Sequence, residues 1–260
     1  MNTSTPARDA QPREQLNGQW ALITGAAKRI GACLCRTLHA HGASVVIHYG
    51  TSAEAADALA ADLNAQRPGS AFTVQGNLTD SKTPGSLLQD VTARTGGRLD
   101  ILINNASTFY PTKLAEVDTE NWNDLIGTNL KAPLFMAQAA VPFLQAGGGQ
   151  IINIVDIHAQ RPLANHVVYG PAKAGLAMLT RSLAKDLAPD VRVNGVAPGA
   201  ILWPEQGLSE QAEQSILRQI PLGRTGTPDD IARTVLFLVK DAPYITGQII
   251  AVDGGRSVGW

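Results

Sequence analysis

At 260 residues, with 44% hydrophobic and 17% charged side chains, the chain has an ordinary globular composition and can bury a sizeable core. A formal net charge of −1, without a basic block, argues against a nucleic-acid surface. No apolar run approaches the ~20 residues needed to span a bilayer, and the polar residues 1–15 lack the apolar stretch of a signal peptide, so a cytoplasmic protein with no membrane partner is expected.

Residues 1–17 read as a loose polar tail, and 18–260 as a single domain. Residues 19–24 form a first predicted strand that runs into Gly25-Ala26-Ala27-Lys28-Arg29-Ile30-Gly31. A helix follows, with Ile30, Cys33, Leu34, Leu38 and His41 spaced to bury one face. Strand, glycine turn and helix in this order present helix N-terminal amides to a pyrophosphate. Gly25 permits the sharp turn and Gly31 a close approach of helix to strand. Arg29 stands where many dinucleotide turns carry a further glycine, within reach of the pyrophosphate or a nearby substrate. Such a turn on its own is a weak signal. Cys33 and Cys35 point to different helix faces, which argues against a disulfide or a metal site and suits a reducing compartment.

Residues 43–49 are a second strand, followed by a helix with Ser52 as a plausible cap. An acidic residue at the end of this strand would bind a ribose 2′-hydroxyl and repel a 2′-phosphate. None is present. His48 and Tyr49, with the Thr51 and Ser52 hydroxyls and Lys28 or Arg29 nearby, make an anion-tolerant corner that favours NADP(H) over NAD(H). Residues 70–75 are a third strand, with Asn77 and Leu78 placed to border an adenine. Residues 99–104 are a fourth, running into Asn105-Ala106-Ser107-Thr108-Phe109-Tyr110-Pro111, whose small residues let a cofactor approach the backbone. Phe109 and Tyr110 stand at the presumed mouth, where aromatics either stack on a planar ligand or cap the core.

Trp122, Leu125 and Ile126, then Leu130, Leu134, Ala137 and Val141, mark two successive helical stretches, with Asn129 inside them. Residues 150–155 are a buried fifth strand that ends at Asp156. Tyr169 and Lys173 lie four apart on the next helix and share a face. An ammonium near a phenol favours the phenolate and lowers the tyrosine pKa toward the range of acid–base work. Residues 190–197 are a sixth strand closed by Pro198-Gly199, and the irregular residues 200–207 have the character of a lid. A late helix carries Ile231, Val235, Leu236 and Leu238, and residues 248–252 are a seventh strand. The fold class is therefore α/β, a single Rossmann-like, doubly wound domain with a seven-stranded parallel sheet.

Thr24-Gly25…Gly31, Asn104-Asn105-Ala106, Asn129, Tyr169-x-x-x-Lys173, Pro198-Gly199 and Asp253-Gly254-Gly255 together resemble the short-chain dehydrogenase/reductases over residues 18–260. Within that family the chain looks like a pteridine reductase, on the Thr24–Gly31 turn, His48-Tyr49…Ser52, residues 105–111, and Asp156 thirteen residues before Tyr169. The family usually has serine where this chain has Asp156. A serine hydroxyl supports a carbonyl oxygen that gains negative charge, whereas a carboxylate would repel it. Asp156 suits a substrate whose ring nitrogen takes a proton or whose N–H groups donate.

The resemblance implies hydride transfer from NADPH to a C=N carbon of a dihydropterin or dihydrofolate. By that resemblance Tyr169, assisted by Asp156, supplies the proton, and Lys173 lowers the tyrosine pKa and holds the nicotinamide ribose. Phe109 stacks the pterin, Arg29 and Ser107 contact pterin or phosphates, and Asn129 supports a water path to Lys173. Pro198, Gly199 and Ile201 border the cofactor, and Leu202 and Trp203 form the outer pocket wall. Thr51 stands where parasite-type enzymes carry arginine, which weakens the grip on a 2′-phosphate. A homotetramer is also implied. Two alternatives stay open: a carbonyl reductase acting on a 3-oxoacyl or sugar-type ketone, and a weakly catalytic NADPH-binding regulatory protein.

Overall fold

The computed structural model describes residues 15–203, 207 and 209–258. Most of the predicted tail, and Pro204, Glu205 and Gln206 of the irregular stretch, lie outside the described residues. The seven predicted strands all form: β1 Trp20–Ile23, β2 Ser44–Tyr49, β3 Ala71–Gln75, β4 Ile101–Asn104, β5 Gln150–Ile154, β6 Arg192–Pro198 and β7 Ile249–Val252. They pair in parallel in one sheet of order β3-β2-β1-β4-β5-β6-β7. The helices are α1 Arg29–Ala40, α2 Ala53–Gln66, α3 Thr83–Arg94, α4 Thr119–Ile126, α5 Ala132–Gly147, α6 Tyr169–Leu187, α7 Glu210–Arg218 and α8 Pro228–Lys240. Among the described residues no helix is long and apolar enough to cross a membrane.

Continuous apolar strands are what a sheet covered on both faces requires. Ala21 and Ile23 of β1 pack with Leu34 and Leu38 of α1 and Val235 and Leu238 of α8, while Leu22 points to the opposite layer. That second layer holds Leu88 and Val91 of α3 and Met136, Ala140 and Leu144 of α5. Strand order reverses at β1 and β4, so a crevice opens beyond their C-terminal ends, where ligands bind in open α/β sheets.

Several local expectations are corrected. Leu16 is fully buried and its N–H donates to the His41 carbonyl, so the ordered body reaches into the predicted tail. On α1 it is Cys35 and His39 that bury; Cys33 is half-buried, and His41 falls at the helix cap and is exposed. His39 is held inside by a 2.7 Å contact with the Ser70 hydroxyl. Ser52 occupies the cap position of α2, but its side chain makes no cap bond. Between α4 and α5, residues Gly127–Lys131 form a π-helical turn. Trp122 on α4 and Leu134 on α5 lie on the solvent side, while Met136, Ala137, Ala140 and Leu144 bury.

The turn glycines do what their positions require. Gly25 adopts φ +59°, and a Cβ there would meet Ala106 Cα at 2.8 Å. A Cβ on Gly31 would lie 2.5 Å from the Gly25 carbonyl oxygen and 2.7 Å from Ala26 Cα. Both obstacles are backbone, so Gly31→Ala is expected to destabilise the fold by about 1–3 kcal/mol. A lowered denaturant midpoint with an unchanged slope would register it.

Candidate active site

At the crevice the glycine turn, the ends of β2 and β3 and the β4 turn enclose a cavity of about 970 Å³. Gly25, Lys28, Arg29, Ile30, His48, Tyr49, Thr51, Ser52, Asn77, Leu78, Asn105, Ala106 and Ser107 all line it, as their sequence positions predict. Among the described residues its lining contains no Asp or Glu. The two central loops are laced together: Thr24 Oγ1 accepts the N–H groups of Asn105 (2.9 Å) and Ala106 (3.0 Å). Asn105 Nδ2 returns bonds to the Thr24 and Gly25 carbonyls, each at 2.9 Å. Arg29 takes φ +52°, the left-handed conformation that a glycine would adopt without strain. Its guanidinium donates to the Trp203 carbonyl at 3.3 Å, tying the dinucleotide turn to the irregular segment after β6.

His48 has another task than the one expected of it. Its ring is buried; Nδ1 accepts the Gly25 N–H (3.1 Å) and Nε2 donates to the Gly76 carbonyl (3.0 Å). Burial pushes its pKa down to about 4, against the opposing pull of the Gly76 carbonyl. The neutral ring is thus a strut for the glycine turn rather than a cationic partner for phosphate.

The second half of the site is built where β5 ends. Asp156 caps a short 3₁₀ turn, Ile157–Ala159, with Oδ1 accepting the His158 N–H at 2.8 Å. Tyr169 opens α6, 3% exposed, and its hydroxyl donates to Asp156 Oδ2 at 2.8 Å. One turn on, Lys173 is 2% exposed and donates to the Ile154 carbonyl at 3.0 Å. Ser107 donates to Asn129 Oδ1 (2.7 Å), and Asn129 Nδ2 donates to the Thr108 and Leu125 carbonyls (2.9 and 3.0 Å). Asn129 sits in the π turn, whose distortion admits a fully buried amide in mid-helix.

The electrostatics invert one expectation. Burial raises the Tyr169 pKa well above its ordinary value, the Asp156 charge and hydrogen bond add to this, and a Ser107 hydrogen bond opposes it. The ammonium of Lys173 lies 5.8 Å from the ring centroid and is engaged with Ile154, so it does not make the phenolate. Tyr169 is held as a phenol. Burial in turn pushes Lys173 down to about 8, while the Asp156 charge pulls it up.

That depressed lysine pKa has a measurable consequence. Between about 8 and the ordinary 10.5 the unfolded chain binds a proton that the folded chain does not, so stability rises with pH across that window. Below it, the buried charge costs roughly 3 kcal/mol at 1.36 kcal/mol per pH unit. Lys173→Met is therefore expected to raise the thermal midpoint at pH 7 and to lose that advantage by pH 10.5, which melting curves across pH would follow.

At the mouth, Phe109 is 53% exposed and stacks on His166 (4.8 Å, 16° between planes), with a T-shaped contact to Tyr169 at 4.8 Å. Tyr110 instead packs with Leu125, Val168 and Tyr169 and donates to Asp124. Of the two aromatics, one faces the opening and the other caps the core. His166 escaped the sequence reading, although its place three residues before Tyr169 was available as a cue. Its Nδ1 contacts the Ala164 carbonyl at 2.7 Å, and its buried Nε2 has no hydrogen-bond partner among the described residues. Also unforeseen was the buried chain from Asn104 through Asn153 to Thr180, which joins β4, β5 and α6. Leu202 is exposed beside Trp203. Pro198, Gly199 and Ile201 do not line the main cavity. Pro198 and Ile201 are buried, and Gly199 presses so closely on Asp253 that a Cβ would sit 2.6 Å from it.

A doubly wound sheet with a nucleotide-sized crevice and a tyrosine–lysine helix beside it defines an oxidoreductase of the Rossmann type. The chain belongs to the short-chain dehydrogenase/reductase family: the family model described as Enoyl-(Acyl carrier protein) reductase matches residues 25–257. Pteridine reductase 1 of Leishmania tarentolae is 38% identical over 278 aligned residues, covering 92% of this chain and 96% of that protein. A 3-oxoacyl-[acyl-carrier-protein] reductase of Staphylococcus aureus is 37% identical over 239 residues, covering 90% and 96%. The enzyme of that name from Synechocystis is 38% identical over 246 residues, covering 92% and 97%. Overall identity leaves the two substrate classes level, and the site chemistry has to separate them.

Proposed function

We propose that the chain is an NADPH-dependent pteridine reductase that converts dihydropterins, dihydrofolate included, to their tetrahydro forms. The observation that carries this is the 2.8 Å hydrogen bond from the Tyr169 hydroxyl to Asp156 Oδ2. A ketone reduction builds negative charge on oxygen, which a carboxylate at this position opposes. Reduction of a C=N bond instead adds a proton to nitrogen, and a carboxylate beside that nitrogen favours the positive charge.

The cavity fits a phosphorylated dinucleotide by its own chemistry. Gly25 and Gly31 hold the turn tight against its neighbours at the start of α1, the described lining of the cavity contains no carboxylate, and Lys28 with Thr51 and Ser52 lines it. When bound, the reduced nicotinamide supplies the hydride. The residues of the chain do the rest. Phe109, braced by His166, offers a flat face to the pterin ring. As the substrate enters, the Tyr169 hydroxyl turns its proton from Asp156 to the ring nitrogen, and Asp156 accepts a substrate N–H in exchange. The charge on Lys173 balances that on Asp156 inside the site, and Asn129 orients Ser107 at the cavity wall.

The test is NADPH oxidation followed against 7,8-dihydrobiopterin, 7,8-dihydrofolate and a panel of 3-oxoacyl thioesters and simple ketones. Turnover of pterins is expected. Turnover of 3-oxoacyl thioesters without any pterin would replace this reading with that of the carbonyl reductases.

A further inference from the structure

A second cavity, of about 410 Å³, begins immediately after Asp156 in the chain. It lies between the segment that follows β5, with Ile157, His158 and Arg161, and the end of α7, with Arg218. The turn after β7 closes it with Arg256. Three arginines thus line one hollow whose described lining contains no carboxylate.

The walls are built rather than incidental. Arg161 Nε donates to the Ser257 carbonyl at 2.9 Å, and the Ser257 N–H is fixed by Asp253 Oδ2 at 2.6 Å. Arg256 is half-buried and donates to Gln219 Oε1 at 3.2 Å. Ile157 and His158, which line the hollow, directly follow Asp156, and the His158 N–H donates to Asp156 Oδ1 at 2.8 Å, so the basic hollow and that carboxylate are neighbours. Arg218 closes the last turn of an exposed helix, and its guanidinium makes no ion pair or hydrogen bond among the described residues. A guanidinium fork matches a carboxylate or a phosphate in shape and charge.

Resting on the pterin reading above, we propose that this hollow receives an anionic side arm, carboxylate or phosphate, carried by the same substrate whose ring reacts at Asp156. Substrates that bear such an arm are then selected over neutral pterins, and Arg218 is a specificity residue rather than a catalytic one.

Steady-state kinetics with 7,8-dihydrofolate, 7,8-dihydroneopterin monophosphate and neutral 7,8-dihydrobiopterin tests the assignment in the full chain and in Arg218→Ala and Arg218→Glu. The expected result is a KM for the anionic substrate raised about tenfold in Arg218→Ala and further in Arg218→Glu, with kcat and the constants for dihydrobiopterin unchanged. Whichever of the two anionic substrates responds identifies the arm as carboxylate or phosphate. A uniform change for all three substrates, or none for any, overturns the assignment.

Calorimetric titration with p-aminobenzoyl-glutamate and with inorganic phosphate separates this idea from the reading on which it rests. Binding of either anion that Arg218→Glu abolishes supports the hollow even if no pterin is turned over. No binding of either anion to the wild-type chain removes it even if dihydrobiopterin is a good substrate.

Discussion

Asp156→Ser is expected to lower kcat for dihydropterins by at least about 100-fold, the lower end of what a positioned acid–base group contributes. The carboxylate holds the Tyr169 hydroxyl at 2.8 Å and raises the tyrosine pKa by its charge and its hydrogen bond. It also raises that of Lys173. Serine removes all three effects together. The tyrosine pKa then falls, which ultraviolet difference titration of the phenol reads directly, and the lysine pKa falls below about 8. An alkaline limb of kcat/KM set by Lys173 near that value should move to lower pH in the variant. Activity toward 3-oxoacyl thioesters is expected to appear or rise, because a hydroxyl now meets the oxygen that gains negative charge. Pterin kinetics indistinguishable from wild type would remove the proposed role of the carboxylate.

Tyr169→Phe is expected to reduce kcat by about 100- to 10,000-fold while the Kd for NADPH changes little. The ring stays in its cluster with Leu125 and Val168 and keeps its T-shaped contact with Phe109, so packing survives the loss of one oxygen. Asp156 Oδ2 loses its donor, but Asp156 is only half-buried and water can replace the phenol, so the stability cost should stay near 1 kcal/mol. Stopped-flow traces under single-turnover conditions would place the loss in the chemical step. If cofactor binding weakened as much as turnover did, Tyr169 would be a scaffold residue and the acid would have to be sought elsewhere.

Much of this arrangement was legible in the chain because it depends on local signals. Unbroken apolar strands such as Ile151-Ile152, separated by helical periods, specify a parallel sheet covered on both faces, and all seven strands formed where those runs lie. Gly25 and Gly31 answer to backbone sterics within a few residues. The four-residue spacing of Tyr169 and Lys173 answers to the pitch of a helix.

What escaped was whatever depends on groups distant in sequence or on how deeply a side chain is buried. His48 reads as an anion partner on its strand, yet packing against Gly25 and Gly76 consumes both ring nitrogens. Lys173 reads as the group that lowers the Tyr169 pKa, yet burial and the carboxylate thirteen residues upstream reverse the sign. Leu134 lies on the solvent side of α5, contrary to the apolar period, because the neighbouring elements cover only the face that carries Met136, Ala140 and Leu144. His166 gains meaning only once Phe109 lies against it. The fold, the glycine turn and the placing of Tyr169 and Lys173 on one helix face followed from the residue pattern alone, because periodicity and turn sterics act over short stretches. The pKa shifts of Tyr169 and Lys173 and the basic hollow beside Asp156 emerged only from the folded chain, because desolvation and charge proximity depend on which segments meet in space.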